Sequence, residues 1–291
     1  TDAELVMASD PDADRVGAAV KNNEGEWVLL NGNQTALMFV YYLITRWKEL
    51  GKINGKEYIV KTIVTTETIK TIAERNGVEI YDVYTGFKWI ANVMRENEGK
   101  KNYIGGGEES YGFLCEDFVR DKDAVSACVI LAEIAAWAKD QGLSLYQLLQ
   151  KIYVEYGFSK EKGISVVKKG KSGAEEIEAM MKKFRENPLT EIAGSKVTYF
   201  YDYSTLKGKD YAENETVTLD MPTTSNVLQY FTEDNTKVSI RPSGTEPKIK
   251  FYCEVHSKVK SIDELPEAEK AAEEKINQIK ASLGTVSYTH L

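Results

Sequence analysis

Tyr58-Ile59-Val60-Lys61-Thr62-Ile63-Val64 is the stretch that decides the fold. Its apolar, β-branched composition reads as a strand. Residues 68–75 follow as a helix that ends at Asn76-Gly77, a favourable C-terminal cap. Strands are then predicted at 78–84 and 103–105, helices at 88–95 and 124–139, and a last helix at 145–156 behind Ser144. Strand and helix in alternation predict a parallel α/β sheet with functional loops at the strand ends.

Working toward the N-terminus, Gly51-Lys52-Ile53-Asn54-Gly55 punctuates the chain and is read as a domain boundary. Before it, Asn33 reads as the N-cap of a helix carrying Leu37, Val40, Tyr41 and Ile44 on one face. Short strands are expected at 16–20 and 26–29, and Glu4-Leu5-Val6-Met7-Ala8 reads as a buried strand. Toward the C-terminus the texture changes near residues 157–163. Strands at 164–167, 196–201, 227–232, 238–241 and 249–255, with helices at 174–185 and 266–283, predict an α+β domain with a mainly antiparallel sheet. The expected fold class is thus α/β followed by a C-terminal α+β domain.

A chain of 291 residues has room for two or three domains, and 42% hydrophobic with 28% charged residues is a globular composition. The net charge of −8 argues against nucleic acid or an anionic membrane as the main partner. An anionic ligand would have to be held by local Arg and Lys. The longest apolar run, 36–44, is far short of a membrane span. Cys115, Cys128 and Cys253 are odd in number and lack metal-ligand spacing, which points to a cytoplasmic setting. His256 and His290 are the only histidines, so histidine-based catalysis is not expected.

Three loops carry chemistry. In Asp10-Pro11-Asp12-Ala13-Asp14-Arg15, carboxylates alternate at the end of a strand, where a curling loop can aim all three at one point. Crowded carboxylates repel unless a cation lies between them, and all-oxygen ligation suits Mg²⁺. A solvated acidic turn has the same composition. An EF-hand does not, because Arg15 and Lys21 stand where its glycine and bidentate glutamate belong. In Gly107-Glu108-Glu109-Ser110-Tyr111-Gly112, Glu108 and Ser110 can face one side and bind adjacent sugar hydroxyls; a Gly-rich turn with solvated acids is the alternative. Arg241-Pro242-Ser243-Gly244-Thr245-Glu246-Pro247 offers a guanidinium, two hydroxyls and glycine-freed N–H groups, the composition of a phosphate cradle or of a plain turn with a surface Arg. It is not a Walker loop, since no Gly-Lys-Ser/Thr opens a helix. Lys88, in Thr85-Gly86-Phe87-Lys88-Trp89, places a cation just after a strand end.

These three loops in this order resemble the α-D-phosphohexomutase family (phosphoglucomutase and phosphomannomutase). Thr85-Gly86-Phe87-Lys88-Trp89-Ile90 and Asp121-Lys122-Asp123-Ala124-Val125 add to the resemblance, which spans about residues 4–283. It implies four domains around a cleft: residues 1–50 as the end of the second, 51–157 as the third, 158–284 as the fourth, and 285–291 as a tail. It also implies that Asp10, Asp12 and Asp14 ligate Mg²⁺, with Arg15 beside them in a catalytic role. Glu108 and Ser110 become sugar contacts. Arg241, Ser243, Gly244 and Thr245 hold the phosphate that is not transferred, and Lys88 binds the anionic sugar and assists the reaction. The implied activity is interconversion of glucose 1-phosphate and glucose 6-phosphate, with glucose 1,6-bisphosphate as intermediate and activator. Mannose or pentose phosphates are the runners-up.

One departure stands out. The family's phosphoserine lies in a Thr-Ala-Ser-His-Asn-Pro-like motif, and no such sequence occurs in these residues; Ser9 belongs to the acidic loop. The strand and acidic loop at the very start suggest the C-terminal part of a longer protein, expected to be inactive alone. A non-catalytic sugar-phosphate-binding protein is the alternative. A plain Mg²⁺-dependent phosphatase is disfavoured, because Asp14 stands where its Asp-x-Asp-x-Thr/Val motif needs Thr or Val.

Overall fold

The computed structural model describes residues 2–168, 170–244 and 246–284, without the side chain of Lys171. The chain divides into two compact units, residues 1–158 with 259–262, and residues 159–258 with 263–291.

Unit 1 opens with a three-stranded antiparallel sheet of β1 (Leu5–Ser9), β2 (Val16–Lys21) and β3 (Trp27–Leu30), in that order. It continues through α1 (Gly32–Glu49), β4 (Glu57–Thr62), α2 (Thr68–Arg75), β5 (Glu79–Val83), α3 (Phe87–Asn97), β6 (Asn102–Gly107), β7 (Phe113–Cys115), α4 (Ala124–Asp140) and α5 (Leu145–Tyr156). The second sheet has the order β5-β4-β6-β7. β4 runs parallel to β5 and β6, and β7 closes the edge antiparallel. The central strand β4 is buried along its whole length, as a parallel strand covered on both faces must be. Tyr58, Val60, Val83, Tyr103 and Leu114 of the sheet pack with Phe87, Ile90 and Met94 of α3. No helix among the described residues is long and apolar enough to cross a membrane.

Three expectations change. β1 is not buried: Val6 is 50% exposed and only Leu5 and Met7 are half-covered, because β1 is an outer strand with α4 packed on it. The N-cap of α1 is Asn31, whose side chain accepts the Gln34 N–H while the Gln34 side chain accepts the Asn31 N–H, a full capping box. Asn33 instead lies buried inside the helix, where its side chain accepts the Thr66 N–H at 3.0 Å. Finally, packing does not divide at Gly51–Gly55. α1 packs on β6, α2, α4 and α5, so the segment before that turn belongs to the same unit.

Unit 2 is built on an antiparallel sheet. β8 (Phe158–Val167), whose first residue still belongs to unit 1, leads into α6 (Gly170–Glu186), β9 (Glu191–Ile192), β10 (Ser195–Asp202), β11 (Lys207–Asp210), β12 (Glu215–Thr218), β13 (Leu228–Thr232), β14 (Lys237–Pro242) and β15 (Lys248–Ser257); α7 (Leu265–Ser282) ends it. The strand order is β12-β11-β10-β13-β14-β15-β8, with β9 paired to β10. α6 and α7 pack against β15. The tail at 285–291 lies outside the described residues.

Candidate metal and sugar-phosphate site

The acidic loop is shaped by its own first carboxylate. Asp10 Oδ1 accepts the N–H groups of Asp14 and Arg15, each at 3.1 Å, and the Asp10 carbonyl accepts the Ala13 N–H at 3.0 Å. Ala13 sits in the left-handed region with φ 56°. The alternating acids therefore converge through a tight turn closed on Asp10 and not through extended backbone. One ligand oxygen from each of Asp10, Asp12 and Asp14 lies within 4.8 Å of the others. Partial burial works to raise the Asp10 pKa, but the N–H groups of Arg15 and Asp14 outweigh it and hold the carboxyl below its usual range. Asp14 Oδ1 is buried and has no hydrogen-bond donor; the Arg15 Nε stands 3.7 Å from it, beyond bonding distance. An oxygen-only set with one orphaned oxygen fits a small divalent cation, Mg²⁺ above all.

The loop from β6 to β7 folds back on itself, with the Glu108 N–H donating to the Gly112 carbonyl at 2.9 Å. Glu108 is buried, and its Oε1 accepts the Gly86 N–H at 2.7 Å. One carboxylate oxygen thus ties down the segment that carries Lys88. Ser110 is half-buried. Gly32, the first residue of α1, lies directly beneath: a Cβ there would stand 2.1 Å from the Glu109 carbonyl oxygen and 2.7 Å from the Tyr111 nitrogen. Backbone bonds join this loop to the acidic one. The Val16 N–H donates to the Tyr111 carbonyl at 3.3 Å, Arg15 bridges to Gly112, and the Ala124 N–H at the start of α4 donates to the Ala13 carbonyl at 3.0 Å.

Lys88 is the second residue of α3 and is exposed, its Nζ 5.0 Å from the centre of the Trp89 ring. It lines a groove with Asn92, Arg95 and Arg120, and no ion pair joins it to the acidic loop among the described residues. The cation that does reach that loop is Lys122, whose Nζ lies 2.5 Å from Asp14 Oδ2 with its side chain only 14% exposed. Burial disfavours its charge, but Asp14, helped by Asp121, holds the ammonium above the usual lysine range. Spacing alone does not point to Lys122. The available signal was the Asp121-Lys122-Asp123 run before a helix, in which Asp123 caps α4 by accepting the Ser126 N–H at 2.7 Å.

In unit 2, Arg241 is half-buried near the end of β14, directly opposite Lys250 on β15. The loop beyond it is pinned by the Ser243 N–H donating to the Lys248 carbonyl at 2.7 Å and the Lys168 N–H donating to the Pro247 carbonyl at 2.9 Å. Lys248 pairs with Glu246 at 2.8 Å, and that bond draws the Glu246 pKa down. Gly244 is exposed, and Thr245 lies outside the described residues. Arg241, Ser243 and Gly244 thus share one cation-rich hairpin end.

Residues 31–156 match the family described as "Phosphoglucomutase/phosphomannomutase, alpha/beta/alpha domain III", and residues 165–272 match its "C-terminal domain". A phosphoglucomutase of Staphylococcus haemolyticus is 34% identical over 255 residues, 88% of this chain and 45% of that protein. One from Staphylococcus aureus is 38% identical over 250 residues, 86% of this chain and 44% of that protein. The chain spans about half the length of these curated relatives. Among solved structures, a phosphoglucomutase/phosphomannomutase family protein from Burkholderia thailandensis superposes with a TM-score of 0.59 at 18% identity, covering 98% of this chain and 48% of that one. The pp63/parafusin structure from Paramecium gives 0.57 at 17%, covering 94% and 45%. Those two likenesses establish the fold, and the two domain matches go further: the chain belongs to the phosphoglucomutase/phosphomannomutase family.

Proposed function

We propose that this chain provides the Mg²⁺-, sugar- and phosphate-binding parts of a mutase that interconverts glucose 1-phosphate and glucose 6-phosphate through a phosphoserine and glucose 1,6-bisphosphate. The observation that carries the reading is the convergence of Asp10, Asp12 and Asp14 within 4.8 Å, with a buried Asp14 oxygen that lacks a donor. Bound there, Mg²⁺ supplies neutralisation of charge on phosphoryl oxygens. Arg15 and Lys122 flank the carboxylates and stabilise an arriving anion. Glu108 keeps one oxygen for Gly86 and offers the other, with Ser110, to adjacent sugar hydroxyls. Lys88 draws in the anionic sugar. Arg241, Ser243, Gly244 and Thr245 grip the phosphate that stays in place, by the fork geometry of Arg and neutral donors around it.

The nucleophilic serine motif is absent from these 291 residues, so the chain by itself turns nothing over in this reading. Two measurements test it. Titration with Mg²⁺ should show one site that Asp12→Asn abolishes; no site, or an unchanged one, overturns the metal assignment. A coupled assay with glucose 1-phosphate, Mg²⁺ and the bisphosphate should give turnover only when the chain is joined to a family segment bearing the serine. Silence in both forms, with sugar phosphate still bound, favours mannose or pentose substrates or a non-catalytic binding protein.

A further inference from the structure

Among the described non-glycine residues in the left-handed region, Tyr111 is the only aromatic one, with φ 73°. A bulky side chain there costs of order 1–3 kcal/mol, which glycine would avoid. The backbone has no freedom to relax. The Tyr111 carbonyl accepts the Val16 N–H, the next residue is bridged to Arg15, and α1 lies close beneath its nitrogen at Gly32. The ring is only partly covered by its own unit in exchange. It is 41% exposed, and no hydrogen bond or ring contact of its side chain occurs among the described residues. Its surroundings are those of the candidate site. Ser110 precedes it, and a Cβ on the following Gly112 would lie 2.6 Å from the Lys122 side chain and 3.5 Å from Glu108 Oε2.

We propose that Tyr111 is a specificity-determining residue whose ring stacks on the apolar C–H face of the hexose in a bound hexose phosphate. This deepens the reading above and rests on it. Glu108 and Ser110 recognise hydroxyls at the rim of a sugar ring, which leaves its C–H face to be covered. A rigid aromatic with two side-chain torsions covers that face at small entropic cost. The strained backbone holds the partly exposed ring at the loop surface, with no hydrogen bond or ring contact to fix it among the described residues.

The test uses the whole chain with Mg²⁺, and glucose 1-phosphate and inorganic phosphate as separate probes. Tyr111→Asn removes the ring and keeps a residue that tolerates positive φ, so the melting temperature should not fall. Tyr111→Phe keeps the ring. Tyr111→Asn should weaken glucose 1-phosphate binding about tenfold, as expected for one lost stacking contact, with inorganic phosphate unaffected. Tyr111→Phe should bind like the parent, and saturation transfer from aromatic protons to the sugar C–H protons should survive in it and vanish in Tyr111→Asn. Equal glucose 1-phosphate affinity in Tyr111→Asn and the parent overturns the inference, as does an equal loss for inorganic phosphate. A parent chain that binds inorganic phosphate but not glucose 1-phosphate removes the sugar reading itself, and this inference with it.

Discussion

Each unit buries a lysine, and the two are neutralised in different ways. In unit 1, Lys61 on the central strand β4 is 1% exposed and pairs with Asp82 at 2.7 Å and Glu67 at 3.0 Å, whose side chains are 36% and 26% exposed. In unit 2, Lys237 pairs with Glu254 at 2.9 Å, and both are within 3% of full burial. Glu254 also meets His256 Nε2 at 2.8 Å. Lys61 lies opposite Gly107, from which the Glu108 loop departs, so its charge sits under the functional end of the sheet and shares its carboxylates with water. The Lys237 pair is sealed. A buried cation paired with a buried carboxylate depends strongly on that partner, whereas one bound to half-wet carboxylates depends less on either of them.

The largest effect follows directly. Glu254→Leu removes the buried carboxylate that Lys237 and His256 share and should cost unit 2 about 4 kcal/mol. Lys61→Met leaves Asp82 and Glu67 able to take up water and should cost unit 1 only about 2 kcal/mol. Hydrogen exchange at the β14–β15 amides for the first variant, and at β4 for the second, reads both. Equal costs would break the contrast.

Next is Gly32→Ala, which probes unit 1 through its backbone and not its charges. The added methyl would meet the Glu109 carbonyl at 2.1 Å, and a carbonyl in a braced loop cannot turn aside like the end of a flexible side chain. The expected loss is about 3 kcal/mol, at the upper end for overpacking. Faster exchange should be concentrated at residues 107–113. Unchanged exchange there would mean that the loop is looser than its bonds to Val16, Gly86 and Gly112 imply.

Much of this was legible in the residues. α2 and α5 begin and end where the apolar spacing and the caps place them, because period and punctuation agree there. At α1 two asparagines compete. The Gln34 that follows Asn31 by three residues is the capping-box signal that decides between them, and Asn33 has no such partner. β11 and β12 were invisible: Lys207-Gly208-Lys209-Asp210 and Glu215-Thr216-Val217-Thr218 are short and polar, and form a ribbon through backbone pairing. β7 has only three residues and is defined by the turn at Tyr111. The convergence of the three aspartates could be read from spacing, since it is local. Lys122 on Asp14 and Gly86 on Glu108 could not, because those contacts join segments far apart in the chain.

The smallest effect separates the units by pH. Burial works against a charged His256, but the Glu254 carboxylate outweighs it, with Glu161 on β8 adding to the rise and Lys237 on β14 opposing it; the net pKa lies above the ordinary imidazole value. A group whose folded pKa is raised adds stability that is complete below the unfolded value, near 6.5, and is lost as pH climbs through the folded one. Glu254 has the opposite sign. Burial disfavours its charge, yet Lys237 and His256 pull its pKa far down, so its contribution is present above the ordinary carboxylate range and fails only in strong acid. Between about pH 6 and about pH 8, below the range in which unfolded cysteine thiols ionise, the His256 contribution is the one that changes, and unit 2 should lose stability as pH rises. Unit 1 contains no histidine and should stay level over the same window. Opening free energies from hydrogen exchange at about pH 6 and about pH 8, across the imidazole range, compare the units within one sample. His256→Gln should flatten the unit 2 slope without touching unit 1. A slope that survives the substitution would place the titrating group elsewhere, and the buried cluster would then be a static pair like any other.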